Sequence, residues 1–287
     1  MVDCARSLGV TTFESAHAFG NGEAEELLGE ALDAELRAHR ERIVITTKGG
    51  LRRDGSHTVR NASPTALRDD LEASLRNLGT EYIDIYQLHW PDPMTPFAQT
   101  AAALDTFVRE GKIRYVGLSN FHVAEMEAFS RRHAIDAVET PLHLLRRESA
   151  SDILPFCDEH EIGVFACSPL AHGLLGGSFT SATRFAPSDW RSGRDDFEGS
   201  ALEGHLRIAR ELDAVAREHG KTLAQLALGW TLAHPQVDFA IVASNSPQHL
   251  TELVTGTHSD LSSELVAAIE PIVRAARPVN GPSPDTL

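Results

Sequence analysis

Six side chains that could move protons or wall a pocket stand in or just beyond short apolar runs: Glu14, His17, Phe19, Lys48, His89 and Glu139. Lys48 follows Ile43-Val44-Ile45-Thr46-Thr47, and the chain has only three lysines among its 26 basic residues. A lysine placed beside a carboxylate in so arginine-rich a chain points to a need for a compact ammonium that a planar guanidinium would not meet. A buried lysine with a depressed pKa could act as a base or a Schiff-base nucleophile, although pairing with Glu14 opposes that depression. The plainer alternative is a Glu14–Lys48 ion pair bracing the strand ends. His89 follows Ile83-Asp84-Ile85-Tyr86-Gln87-Leu88 and precedes Trp90-Pro91. An imidazole titrating near 6.5 suits general acid or base work, so His89 is taken as functional over a merely satisfied histidine. His17, two residues before Phe19, could supply a proton, and Glu139 could be a second acid–base carboxylate or a solvent-facing charge.

These residues need elements to hold them. Seven short apolar runs read as strands, around residues 11–13, 43–47, 83–88, 116–118, 137–138, 163–166 and 239–242. Amphipathic segments lie between them; Ser63-Pro64 reads as a cap and first-turn proline ahead of Leu67, Leu71, Leu75 and Leu78. Strands alternating with helices must pair in parallel through right-handed crossovers, and so long a series is expected to close into a barrel. In such barrels the active site forms at the C-terminal strand ends, where Glu14, Lys48, His89, Ser119-Asn120, Glu139 and Ser168-Pro169 fall.

A chain of 287 residues suits one domain over 1–287, since about 250 residues is typical of one α/β barrel. Pro and Gly gather at 176–204, read as a long loop over the barrel mouth serving as a lid or a solvated excursion, and in a flexible tail at 278–287. A net charge of -15 without like-charge runs argues against nucleic acid. With no run of about 18 apolar residues and no signal-like start, the expectation is a cytoplasmic protein without membrane contact. Cys4, Cys157 and Cys167 form no CxxC pair, and His143 and His172 lack the spacing of a metal motif, so no metal site is expected.

The strings Gly20-Asn21-Gly22-Glu23-Ala24-Glu25-Glu26-Leu27-Leu28-Gly29, Thr46-Thr47-Lys48-Gly49, Ile85-Tyr86-Gln87-Leu88-His89-Trp90-Pro91, Gly117-Leu118-Ser119-Asn120-Phe121 and Ser168-Pro169-Leu170-Ala171-His172-Gly173-Leu174-Leu175 together resemble the aldo-keto reductases. The resemblance implies an α/β fold, a (β/α)8 TIM barrel, that binds NADPH and reduces carbonyls. It implies a Tyr proton donor, an Asp and a Lys that lower the Tyr pKa, and a His that orients the carbonyl. These positions fall on Phe19, Glu14, Lys48 and His89, so the donor hydroxyl is replaced by a phenyl ring. Phe19, Trp90 and Cys167 would line the substrate pocket. Ser119, Asn120, Ser168, Leu170, Gly173, Ser244, Asn245 and His249 would hold a cofactor if one is retained. Glu139 stands where the family usually has Gln, Cys167 where it has an aromatic, and Asn245 where it has a base for the 2′-phosphate. The resemblance further implies that the first barrel strand is absent, Met1 to Gly9 supplying only the end of a helix, and that a homo-oligomer could cover the gap.

With the proton donor and the cofactor anchors both altered, the expected function is redox-neutral acid–base chemistry, such as dehydration, isomerisation or cyclisation of a small carbonyl metabolite, with no cofactor favoured. The alternatives are an NADPH- or NADH-dependent reductase of a carbonyl, imine or conjugated alkene, and a catalytically silent regulatory barrel. Arg-rich, Ala-rich, Lys-poor usage suggests a GC-rich bacterial source and specialised metabolism.

Overall fold

Local signals set the helix ends. In the computed structural model Ser63 Oγ accepts from Ala66 N, Pro64 opens the helix Pro64–Leu78, and Gly79 closes it at φ 64°. Residues 1–54, 57–256 and 261–282 are described. They fall into two compact units, Met1–Thr140 with Phe156–Val164, and Pro141–Pro155 with Phe165–Leu287.

The first unit runs α1 (Val2–Ser7), β1 (Thr12–Glu14), a 3-10 turn (Phe19–Gly22), α2 (Glu23–Ala38) and β2 (Val44–Gly49). An antiparallel hairpin follows, β3 (Leu51–Asp54) with β4 (His57–Arg60). Then come α3 (Pro64–Leu78), β5 (Ile83–Leu88), α4 (Phe97–Arg109), β6 (Ile113–Ser119), α5 (Val123–Ser130) and β7 (Ala137–Pro141). Strands β1, β2, β5, β6 and β7 are parallel neighbours in that order, each pair separated in sequence by a helix. Their register sets Lys48 beside Gln87, Gln87 beside Gly117, and Ser119 beside Glu139. Two glycines permit close approach: a Cβ on Gly29 would lie 2.7 Å from the Asn77 carbonyl oxygen on α3, and one on Gly49 would lie 1.9 Å from the Tyr86 hydroxyl. Helix α3 buries Asp70 and Ser74 with Leu67, Leu71 and Leu78, while Leu75 is only half-buried, so its inner face is more polar than the leucine spacing predicts.

The second unit takes α6 (Ile153–Glu159) and β8 (Gly163–Cys167) at its boundary, then α7 (Gly199–Glu218), α8 (Leu223–Leu232), β9 (Phe239–Ile241), α9 (Pro247–Gly256) and α10 (Ser263–Arg274). Strands β8 and β9 pair in parallel, Phe165 to Phe239 and Cys167 to Ile241. Leu202, Leu212, Leu226, Leu253 and Ile269 meet in its core. The expected loop at 176–204 is irregular to Arg194, and its last six residues begin α7. It carries its own aromatic cluster, Phe185 and Trp190 each set edge-on to Phe197 at 5.6 and 5.5 Å. In the expected tail, Val279 is buried and donates its N–H to Leu145 O; residues 283–287 lie outside the described residues.

All seven strands expected from the sequence form, in the α/β alternation of the TIM-barrel class. Among the described residues no helix is long and apolar enough to cross a membrane.

Candidate active site

Side chains alternate along β2, so Thr46 and Lys48 share one face and Thr47 takes the other. Thr47 Oγ1 donates to Glu25 on α2, whereas Thr46 Oγ1 accepts from Gln87 Nε2 at 2.9 Å. Lys48 is 1% exposed, with Nζ 2.6 Å from Glu14 Oε1 and 3.0 Å from Glu139 Oε2. Gln87 Nε2 also donates to Glu139 Oε2 at 3.2 Å. The sequence leaves Glu139 open between a second carboxylate and a solvent-facing charge; it is buried on the lysine.

One ammonium facing two carboxyls cannot neutralise both, and an uncompensated buried charge is costly, so the arrangement favours a proton on one of them. Burial first, and the Glu139 charge second, push Glu14 up to about 8 against the pull of Lys48. Burial alone would lower Lys48, but the two carboxyls outweigh it and hold the ammonium above the usual lysine range. Lys48 is therefore a fixed cation, which removes the base and Schiff-base alternatives.

His89 lies just beyond β5, buried, its ring stacked on Trp90 at 4.8 Å and met edge-on by Phe19 at 5.8 Å. Its Nδ1 is buried without a partner among the described residues. Burial, then the neighbouring Lys48 charge, holds this imidazole well below the ordinary histidine value. That runs against the expectation of a histidine titrating near neutrality: burial and Lys48 favour the neutral form of His89. Phe19 is 40% exposed, with Lys48 Nζ 5.9 Å from its ring centroid.

His17 does not join this group through its ring. Its Nδ1 lies 3.5 Å from Glu25 Oε2 and its Nε2 lies 3.9 Å from Asp70 Oδ1. Glu25, with Asp70 assisting, raises His17 against the opposing effect of burial. Its imidazole faces carboxylates on α2 and α3, with no hydrogen bond at Nδ1 from the described residues, which sets it apart from the expected stand-in donor. Sequence reasoning missed Glu25 and Asp70, both fully buried, and Gln87. Gln87 was findable, since it precedes His89 by two positions and so shares its face.

At the end of β6, Asn120 adopts φ 62° and its Nδ2 donates to His89 O at 3.1 Å and Ser119 Oγ at 3.0 Å. Ser119 is buried, and Gln87 Oε1 is a buried acceptor with no donor among the described residues. A hydroxyl and an amide side by side, Ser119 Oγ and Asn120 Nδ2, fit the carboxamide of a nicotinamide.

In the second unit Cys167 ends β8, and a left-handed stretch follows at Ser168, Ala171, His172 and Gly173. Ala171 N donates to Ser168 O, and Gly173 N to Leu170 O. Gly173 is required by Phe179, whose Cζ would lie 2.5 Å from an added Cβ. Ser244 Oγ donates to Ser246 O, Asn245 is exposed, and His249 Nε2 is buried without a partner among the described residues. No lysine or arginine occurs from Phe239 to Gly256. This donor set suits a ribose diol better than a 2′-phosphate dianion.

The aldo/keto reductase family model matches residues 1–274. The chain is similar to the aldo-keto reductase YhdN of Bacillus subtilis, 31% identical over 92% of this chain and 79% of that one. It is also similar to the NADH-specific methylglyoxal reductase of Escherichia coli, 28% identical over 90% of this chain and 82% of that one. Among solved structures, a glycerol dehydrogenase from Gluconobacter oxydans superposes at a TM-score of 0.87 and 30% identity, covering 100% of this chain and 87% of that one. The fold is α/β of the TIM-barrel type.

These relatives overturn the expectation of redox-neutral chemistry with no cofactor favoured, because they are named for reduction and dehydrogenation. The physical reason is that Phe19 removes one hydroxyl, whose loss slows proton transfer by about 10²–10⁴-fold without changing the reaction class.

Proposed function

The chain belongs to the aldo/keto reductase family, and from that premise we propose that it is a nicotinamide-dependent oxidoreductase reducing a small aldehyde or ketone. Relatives named for NADH-specific methylglyoxal reduction and for glycerol dehydrogenation support this substrate class. The observation that carries the reading is a fixed Lys48 cation beside a neutral His89, both at the C-terminal ends of parallel strands.

A bound reduced nicotinamide would supply a hydride to the carbonyl carbon. The protein's part is to hold and polarise the substrate. Neutral His89 donates one hydrogen bond to the carbonyl oxygen, and the Lys48 ammonium stabilises negative charge growing there. A single donor so placed is typically worth about 10²–10³-fold in rate. The Phe19 ring and Trp90 supply apolar walls that exclude water from the polarised bond. In the first unit Ser119 and Asn120 are assigned to the carboxamide. In the second unit the backbone from Ser168 through Leu170 to Gly173 is assigned to phosphate, and Ser244, Asn245 and His249 to ribose and adenine. With no cationic side chain in that last segment, NADH should bind at least as well as NADPH.

Titration of the protein with each nicotinamide, followed by fluorescence or calorimetry, tests the reading. Micromolar NADH binding, about -8 kcal/mol, is the expected result. No binding of either cofactor at about millimolar concentration would end it.

A further inference from the structure

We propose that Glu14 is the general acid of this site: it carries a proton in the resting protein and gives it to the substrate's carbonyl oxygen, the task for which Phe19 offers no hydroxyl. The assignment rests on the reductase reading above.

Geometry carries it. Glu14 Oε1 and Glu139 Oε2 both lie within hydrogen-bond reach of the one Lys48 Nζ. Glu14 Oε2 is buried and receives no hydrogen bond from the described residues. A carboxylate oxygen left that way pays the full desolvation penalty, whereas a protonated oxygen is neutral and can itself donate. Of the three side chains Glu14 is the most exposed, at 13% against 7% for Glu139 and 2% for Lys48, so it lies nearest the open side of the group. The groups facing it are Lys48 on β2 and Glu139 on β7, with neutral Gln87 and neutral His89 beyond them. Burial and the Glu139 charge, which push Glu14 up to about 8, agree with a proton held at neutral pH. The other titratable groups are committed: Lys48 stays charged, His89 stays neutral, and the His17 ring is turned to Glu25 and Asp70.

The step balances with a reduced nicotinamide as co-reactant. Hydride transfer would break a C–H bond of the reduced nicotinamide, oxidising its ring, and form the new C–H bond as the carbonyl is reduced and its π pair moves onto oxygen. The Glu14 O–H bond breaks, its proton forms the O–H of the alcohol, and the carboxylate left behind is neutralised by Lys48. Water returns a proton to Glu14 before the next turnover. Glu139 is a positioning residue that keeps the proton on Glu14 without touching substrate.

Infrared difference spectroscopy of the cofactor-free protein between about pH 6 and about pH 10 reads the proton directly. The expected result is a carboxylic C=O stretch that disappears with a midpoint near 8 and is absent from Glu14→Gln. Glu139→Gln should move the midpoint down by about one pH unit or more, since a like charge has been removed; this variant decides the matter if Glu14→Gln does not fold. In steady state Glu14→Gln should lower kcat for carbonyl reduction by about 10²–10⁴-fold while leaving NADH affinity unchanged. A wild-type protein with no such band, a band surviving in Glu14→Gln, or reduction by Glu14→Gln at the wild-type rate would overturn the proposal. Absence of nicotinamide binding would remove the reductase reading, and with it the acid's substrate. A missing band in a protein that does reduce carbonyls would remove Glu14 alone.

Discussion

Lys48 Nζ lies 3.0 Å from Glu139 Oε2, although β2 and β7 are separated in the sheet by β5 and β6. A contact that spans two intervening strands requires the sheet to curve, so the two residues meet over its concave face. The two carboxyls, against the effect of burial, hold the charge on Lys48, and burial together with the Glu139 charge raises Glu14.

Removing the cation should unfold the site before it alters the chemistry. Lys48→Met leaves two buried carboxyls without a counter-charge and should cost about 3–5 kcal/mol in denaturant unfolding at neutral pH. The loss should shrink in acid, where the pair's remaining negative charge is neutralised. Lys48→Arg should not restore activity, because the site is enclosed and a guanidinium is bulkier and planar. A Lys48→Met protein as stable as wild type would mean the ion pair contributes nothing.

Phe19→Tyr places a hydroxyl beside His89 at a position that is 40% exposed, so stability should change by no more than about 0.5 kcal/mol. A tyrosine keeps its proton to about pH 10, whereas Glu14 loses its proton near 8. Carbonyl reduction by this variant should therefore persist on the alkaline side, where the wild type declines. A pH–rate profile shows this as an alkaline limb moved upward; an unmoved limb would mean the new hydroxyl does not reach the substrate.

His89 gives an opposite sign on the acid side. Its folded-state pKa lies well below the ordinary 6.5, so it is neutral when folded and takes a proton more readily when unfolded. Its contribution to stability is complete above 6.5 and is lost as pH falls below that value. Thermal unfolding from neutral pH into acid should show His89→Gln losing less stability than wild type. The amide also keeps a donor for the carbonyl oxygen, so His89→Gln should retain more activity than His89→Ala, which should lose about 10²–10³-fold in kcat. Equal losses would argue against a donor role.

Much of this was legible in the residue pattern. The runs ending near Glu14, Lys48 and His89 announced strands, and the alternation with helices announced parallel pairing. The hairpin of Leu51–Asp54 with His57–Arg60 was missed, since neither strand is an apolar run. Period-two alternation tells which residues of one strand share a face, but which strands curve toward each other is set by the whole sheet. That is why Glu139 could not be assigned to Lys48 beforehand, nor His17 to Glu25 and Asp70. The reaction class was misread for a related reason: Phe19 and Glu139 look like losses when taken one at a time. Glu139 in fact joins Glu14 and Lys48 in one buried cluster.

The most direct test of nicotinamide-dependent carbonyl reduction is isotopic. Protein would be supplied with NADH deuterated at the transferable position and a small dicarbonyl such as methylglyoxal, and the alcohol product examined by NMR. The expected result is one deuterium on the former carbonyl carbon of each product molecule, with matching loss of NADH absorbance. Product free of deuterium, or conversion that proceeds without NADH, would contradict it.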